Sequence, residues 1–351
     1  MPTFSSGKVS AFPVGLQTSL SLAQLRTAIA ATKLSHDKLL GGWASTTDKE
    51  SNLRQYDAIP PDSEPTLVPQ DGTIPEHVMA RYYYFVNDAG RAQSNPGRSP
   101  QFSHRLEAVD LLLTKTSPGS YVAVFSTRNL AELNIGAPKY NRSASKNLGA
   151  LASLKNILRS SDERATITMT SSPLSLGSPD FFLWLMERKH VQSDLDGTLT
   201  LTGVTGLSGQ DNIDRVTQMR QDIDFYRVGM LTSIAENDLL GPAKIAFKDA
   251  TMGAALDIEI FEDGGFSLIM GRSHYASIVG KDAMRARAIL DLVFHFVPKF
   301  RDLYAADVEW TATRRAVFVS DAFAVLAGRY NTTRAAGGTH CGDCGQLLIA
   351  S

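Results

Sequence analysis

Ser193-Asp-Leu-Asp-Gly-Thr-Leu-Thr-Leu-Thr-Gly203 has two incompatible readings, and the choice between them decides the fold class. If Asp194 and Asp196 are the carboxylates of a phosphoryl-transfer site, an apolar parallel strand must run directly into Asp194 at the carboxyl edge of a doubly wound sheet. If Asp196-Gly197 is a turn, the chain need only reverse into the alternating strand "TLTLTGV", with glycine supplying the backbone conformation. The approach is Glu187-Arg188-Lys189-His190-Val191-Gln192-Ser193, a polar run unlike a buried parallel strand. The turn is therefore the expected reading. The fold class that goes with it is α+β: mixed helices and antiparallel hairpins in two lobes, with loosely packed N- and C-terminal arms.

The flanking chain carries the same texture. "VMARYYYFV", "EAVDLLLTKT" and "SYVAVFST" are rich in aromatic and β-branched residues and are separated by the Gly/Pro/Ser stretches 87–103 and 117–119, which predicts strands. "ATITMT" and "FFLWLMERKHV" are two further strand candidates. "LDIEIF" and "FSLIM" flank Glu262-Asp-Gly-Gly265, a hairpin signal.

Helical spacing appears in "SLSLAQLRTAIAATKL", where Leu22, Leu25 and Ile29 share a face behind a Ser19 or Ser21 cap. It recurs in the segment that carries Leu148, Leu151, Leu154 and Leu158. The longest such pattern is "DNIDRVTQMRQDIDFYRVGMLTSIAEN", with Asp211 as N-cap and Ile213, Val216, Met219, Ile223, Tyr226 and Met230 as its stripe. "KDAMRARAILDLVFHFVPKFRDLYA" predicts a long helix disturbed near Pro298. Four consecutive regions follow: 1–76, an N-terminal helix and exposed arm or linker, its connection 44–76; 77–205, a strand-rich α+β lobe; 206–330, a helix-hairpin-helix lobe; and 331–351, a C-terminal tail.

Composition restricts the function classes. Hydrophobic residues make up 43% and charged residues 20% of the 351, so a folded globular chain is expected. With 35 Lys+Arg against 36 Asp+Glu, net charge −1, no global field draws the chain to nucleic acid or anionic lipid, and any such site is a local patch. The N-terminus lacks the apolar core of a signal peptide, and the apolar run Phe181–Met186 falls far short of the roughly 20 residues that span a bilayer. A cytoplasmic setting without a membrane span is expected. The two cysteines, Cys341 and Cys344, exclude a disulfide-stapled scaffold.

Cys341-x-x-Cys344 has the spacing of a zinc knuckle. Its neighbour His340 would be strained as a co-ligand, and no second Cys/His pair stands near. The expectation is no cofactor, with zinc on Cys341 and Cys344 as the alternative. Asp257 and Glu259 share one face of "LDIEIF" without a following lysine, and read as a solvated face. Arg272, Tyr275, Lys281, Arg285 and Arg287 gather cations and an aromatic in one short stretch, as nucleic-acid grooves do; balanced surface charge is the plainer account of the same residues.

Over "DLDGTL" the chain resembles the haloacid dehalogenase superfamily. That resemblance implies a Mg²⁺-dependent phosphatase with Asp194 as nucleophile and Asp196 as acid and base. It further asks for a lysine, with Lys244 or Lys281 as candidates, and an acidic pair, with Glu262-Asp263 as the candidate.

A second resemblance runs through "RVTQMRQDIDFY" (215–226), "ATMGAALDIE" (250–259), "GGFSLIMGRSHY" (264–275) and "KDAMRARA" (281–288). In this order the strings resemble the nucleoproteins of nonsegmented negative-strand RNA viruses, the paramyxovirus kind above all, although the first interval is shorter than that family's. The resemblance implies a self-assembling viral structural protein that coats single-stranded RNA through backbone contacts. Arg272, Tyr275, Lys281, Arg285 and Arg287 would hold the RNA, and a second copy of the chain would be the partner. That is the leading expectation, and the phosphatase is the alternative.

Overall fold

The computed structural model describes residues 8–35, 40–46, 63–87, 104–129, 132–133, 149–169, 172–210, 216–220, 226, 228–235 and 239–335. They form two compact units: residues 1–175 with 263–299, and 176–262 with 300–351. Each unit combines antiparallel strands with helices, so the class is α+β. Each is also built from two separated stretches of chain, where the sequence suggested consecutive lobes.

The first unit contains β1 (Lys8–Gln17), β2 (Gly42–Ala44), β3 (Thr66–Val68), β4 (His77–Asn87), β5 (His104–Ser117) and β6 (Ser120–Phe125). Two later strands, β7 (Thr166–Thr168) and β12 (Phe266–Ile269), join them. The order is β2-β4-β5-β6-β1-β12, with β3 on β4 and β7 on β1. Among its described residues the expected connection over 44–76 therefore contains a paired strand, Thr66–Val68 opposite His77–Met79.

Strand β1 was not expected from the polar N-terminus. Its first half pairs with β12 up to Ala11, its last residues pair with β7 from Gly15, and β6 runs beside Phe12–Gln17. Pro13 lies at the changeover, where a missing ladder N–H is tolerated.

On β4, Val78, Ala80, Tyr82, Tyr84 and Val86 enter the main core, while Met79, Tyr83 and Phe85 are buried on the opposite face. A strand covered on both sides needs no polar alternation, which explains the unbroken "RYYYFV". The main core is closed by α1 (Leu22–Ala30) and α2 (Ala150–Ser161). Helix α1 starts with a capping box: Ser21 Oγ accepts from Gln24 N, and the Gln24 side chain accepts from Ser21 N. Trp43 of β2 packs at a tilt against Tyr82, with ring centroids 5.0 Å apart, and donates from Nε1 to Ser153 Oγ of α2.

In the second unit β8 (Leu199–Gln210), β9 (Val216–Arg220), β10 (Leu239–Asp249) and β11 (Ala254–Ile260) run in the order β11-β10-β8-β9. Its helices include α3 (Asp180–Val191), α4 (Val228–Ala235) and α7 (Arg315–Ala335).

Three expectations are corrected in this unit. "FFLWLMERKHV" is helix α3, not a strand. Phe181 to Met186 are all buried, and a short continuous apolar run does not distinguish a buried strand from a buried helix. The signals for the helix are Asp180 in the first turn and Arg188-Lys189-His190 in the last, where each charge suits the helix dipole. The helix expected over "DNIDRVTQMRQDIDFYRVGMLTSIAEN" is interrupted: Val216–Arg220 form β9, paired with Gly206–Gln210, and among the described residues of the segment the helical ones are Val228–Ala235. Asp211, Ile213 and Ile223 lie outside the described residues. Partner pairing overrides a helical pattern where β-branched residues meet an open strand edge. Lastly Asp257 is buried rather than solvated.

The long helical stretch near Pro298 is as expected, with an added device. Helices α5 (Lys281–Asp291) and α6 (Val297–Ala306) are joined by π-helical Leu292–Phe296, in which Val297 N–H donates five residues back to Leu292 C=O. Pro298 has no N–H, and the wider turn sits where the ordinary ladder would fail. No helix among the described residues is long and apolar enough to cross a membrane.

Candidate functional site

The Asp-Leu-Asp-Gly stretch is a closed turn. The chain reaches it from the C-terminal end of α3, so no parallel strand leads into Asp194. Leu195 N donates to Leu199 O, Leu201 N donates to Ser193 O, and Asp194 bridges to Thr200. Gly197 takes φ +83°, a conformation costly to residues with a Cβ. Asp194 Oδ1 accepts from Gly197 N at 2.7 Å. Asp196 Oδ1 accepts from Thr198 N, Thr198 Oγ1 and Leu199 N at 2.7–3.0 Å. Both carboxylates are thereby occupied in holding the corner, as local Asx hydrogen bonds do.

Of the acidic pair Glu262-Asp263, the second carboxylate has a structural task. Asp263 accepts a two-pronged bond from Arg128 at 3.0 and 2.8 Å and also caps Gly265 N. Arg128 further donates to Ala11 O and lies 5.3 Å above the Phe12 ring. Among the described residues no cluster of His, Cys, Asp and Glu has the makings of a metal site. His340, Cys341 and Cys344 lie outside the described residues.

The basic stretch divides into a buried part and a surface part. Tyr275 is buried, and its hydroxyl donates to Asp291 Oδ2 at 2.8 Å. Arg287 forms an ion pair with the same buried carboxylate at 2.8 Å, and that hydrogen-bonded partner holds the guanidinium above its ordinary pKa. The Arg285 side chain is only 14% exposed and lies 3.7 Å from Asp282. By contrast Arg272, in the single turn Met270–Arg272, and Lys281, at the first position of α5, are exposed. Between them His274 is exposed and Val279 is 96% exposed. Tyr275 therefore offers no ring face for base stacking; of the stretch, Arg272, His274 and Lys281 are exposed.

Three polar features carry no local sequence signal. Arg81 and Asp110, directly opposite on β4 and β5, form a two-pronged ion pair with side chains 1% and 5% exposed. His77, buried at the start of β4, makes an Nδ1 hydrogen bond with Pro75 O and packs 5.6 Å from Phe294; burial lowers its pKa.

The third is a polar groove of about 660 Å³ lined by Gln17, Thr18, Ser19, Asp162, Glu163 and Arg164. Within it Asp162 accepts from Ser19 N, Thr18 Oγ1, Ser19 Oγ and Arg164 N, and these bonds hold its pKa at about 2. So bound, the carboxylate ties the start of α1 to the end of α2.

No protein-family model matches the sequence, and no curated protein matches it.

Proposed function

We propose that the chain is a self-assembling structural protein of viral nucleoprotein type that coats single-stranded RNA through its phosphate backbone. The observation that carries this reading is the surface between Arg272 and Lys281, where Arg272, His274 and Lys281 are exposed and Val279 is 96% exposed. Cations at such a surface bind phosphate without reading sequence, which is what a coat requires. Arg287 serves the fold in this reading, because its charge is directed at Asp291, and Arg285 is a minor contributor. The net charge of −1 makes the interaction local, so a few substitutions are enough to remove it.

The test is binding of a labelled oligoribonucleotide to the whole chain across a salt series. Affinity is expected to fall steeply between about 50 and 200 mM salt, and Arg272→Ala with Lys281→Ala is expected to flatten the log–log slope by roughly 0.7 for each phosphate that is no longer neutralised. Arg287→Ala is expected to lower stability and leave the slope alone. Affinity indifferent to salt and to the Arg272/Lys281 pair would overturn the proposal.

A further inference from the structure

His77 stands at the first position of β4, on the face turned away from the main core, and is 2% exposed. Its Nδ1 lies 2.8 Å from Pro75 O. A carbonyl oxygen only accepts, so Nδ1 carries the ring proton and Nε2 keeps a bare lone pair. Nε2 is buried, and no donor among the described residues meets it. Phe294 of the π-helical stretch Leu292–Phe296 packs on the imidazole, with ring centroids 5.6 Å apart and planes at 49°. The contact joins the start of β4 to the later segment, 263–299, that completes the first unit.

We propose that His77 is an acid-sensitive latch: a proton taken up at Nε2 releases Leu292–Phe296, and with it the end of α5, from the start of β4. Protonation makes Nε2 a second N–H donor and the ring a cation. In the closed fold that donor has no acceptor and that charge no counter-charge among the described residues, and each is costly to bury. The tilted Phe294 ring returns only part of the loss. Once the contact opens, water supplies the acceptor and solvates the ring, so the proton binds the open form in preference.

The charges around the ring leave that sign unchanged. Along the same face of β4 and β5, Arg81 and Asp110 neutralise each other. Opposite His77 stand Thr114 on β5, whose hydroxyl donates to Glu76 O, and Val68 on β3. The turn before β4 carries Asp71 and Glu76, both exposed to water. On the helical side Asp291 is taken by Tyr275 and Arg287, and the His295 ring meets Phe296 edge to face. Among the described residues no carboxylate is hydrogen-bonded or ion-paired to His77, and burial lowers its pKa from the ordinary 6.5. The closed contact is therefore favoured in full above about pH 6.5 and is lost progressively as the pH falls below that value. Helix α5 begins at Lys281, so the latch acts on an element of the proposed RNA surface, but it does not rest on that reading.

The experiment is hydrogen exchange of the whole chain from about pH 7.5 down to about pH 5, corrected for the intrinsic rate and read in peptides covering 281–299, for the parent and for His77→Asn. Asparagine keeps a donor for Pro75 O and does not titrate. In the parent the opening of 281–299 is expected to rise below about pH 6.5, by at most about tenfold per pH unit, the limit for one proton. In His77→Asn it is expected to stay level. Asp110 is a second buried group that acid can neutralise, its carboxyl pushed up by burial, and the comparison of the two chains separates it from His77. A parent that stays closed in acid, or a His77→Asn chain that opens equally, overturns the proposal. Should His77→Asn fail to fold, nitrogen NMR of the histidine rings in the parent decides: the His77 ring is expected to take up its second proton together with the opening, and a ring that titrates while 281–299 stays protected overturns the latch. Neither readout involves RNA, so failure of the coating reading leaves this test intact.

Discussion

Asp194 and Asp196 show how a residue pair with a catalytic spelling can act as a corner. Asp196 Oδ1 receives three hydrogen bonds from the two residues that follow Gly197, so Asp196→Ala is expected to cost about 1–2 kcal/mol. Asp194→Asn keeps the one acceptor that Gly197 N needs and is expected to fall within about 0.5 kcal/mol of the parent. Urea denaturation of both variants checks the pair, and a larger loss from Asp194→Asn than from Asp196→Ala contradicts the turn. This turn was legible in the sequence because its side-chain hydrogen bonds connect residues three or fewer positions apart. The fate of Tyr275 and Arg287 was not. Both are directed at Asp291, a carboxylate at the end of α5, and the same letters describe a cationic groove until the fold buries one of them.

At the scale of elements, α3 and the start of α7 are locked by reciprocal pairs. Trp184 Nε1 donates to Asp307 at 2.9 Å and Trp310 Nε1 donates to Asp180 at 2.9 Å. Arg314 spans Glu187 and Asp307, and Arg315 binds Asp180 at 2.6 Å. The Glu187 side chain is 6% exposed, so removing its cation leaves a buried charge uncompensated. Arg314→Ala is expected to destabilise the chain by about 2–4 kcal/mol, and Arg314→Lys to recover little, because an ammonium cannot fork between two carboxylates. Chemical denaturation measures both. The partners of α3 in these pairs are more than a hundred residues away in sequence, which is why α3 passes for a strand when read alone. The helix expected to include Val216–Arg220 fails for the matching reason: the segment has helical spacing, but an available edge at Gly206–Gln210 takes it as strand β9.

For the whole molecule, the decisive feature is that neither unit is continuous in sequence. Lys8 to Ala11 pair with Phe266 to Ile269, and His77 packs on Phe294, so the first unit is incomplete without residues 263–299. A fragment ending at residue 175 is expected to bind a hydrophobic dye, aggregate and lack a cooperative melt, whereas the whole chain melts cooperatively. A fragment that melts like the first unit of the intact protein contradicts this.

By itself the sequence determined the α+β class, the strand character of β4, β5 and β6, the corner at Asp196-Gly197, the inner faces of α1 and α2, and the disturbance near Pro298. All of these depend on side-chain period, turn chemistry and the missing proline N–H, which act over a few residues. Only the tertiary structure decided that Phe181–Met186 is helical, that Val216–Arg220 is a strand, that Arg81 and Asp110 meet in the interior, and that Tyr275 is withdrawn from the surface. Each of those outcomes is set by a partner brought close in space, and a side chain takes its role from the charge, edge or cavity it finally meets.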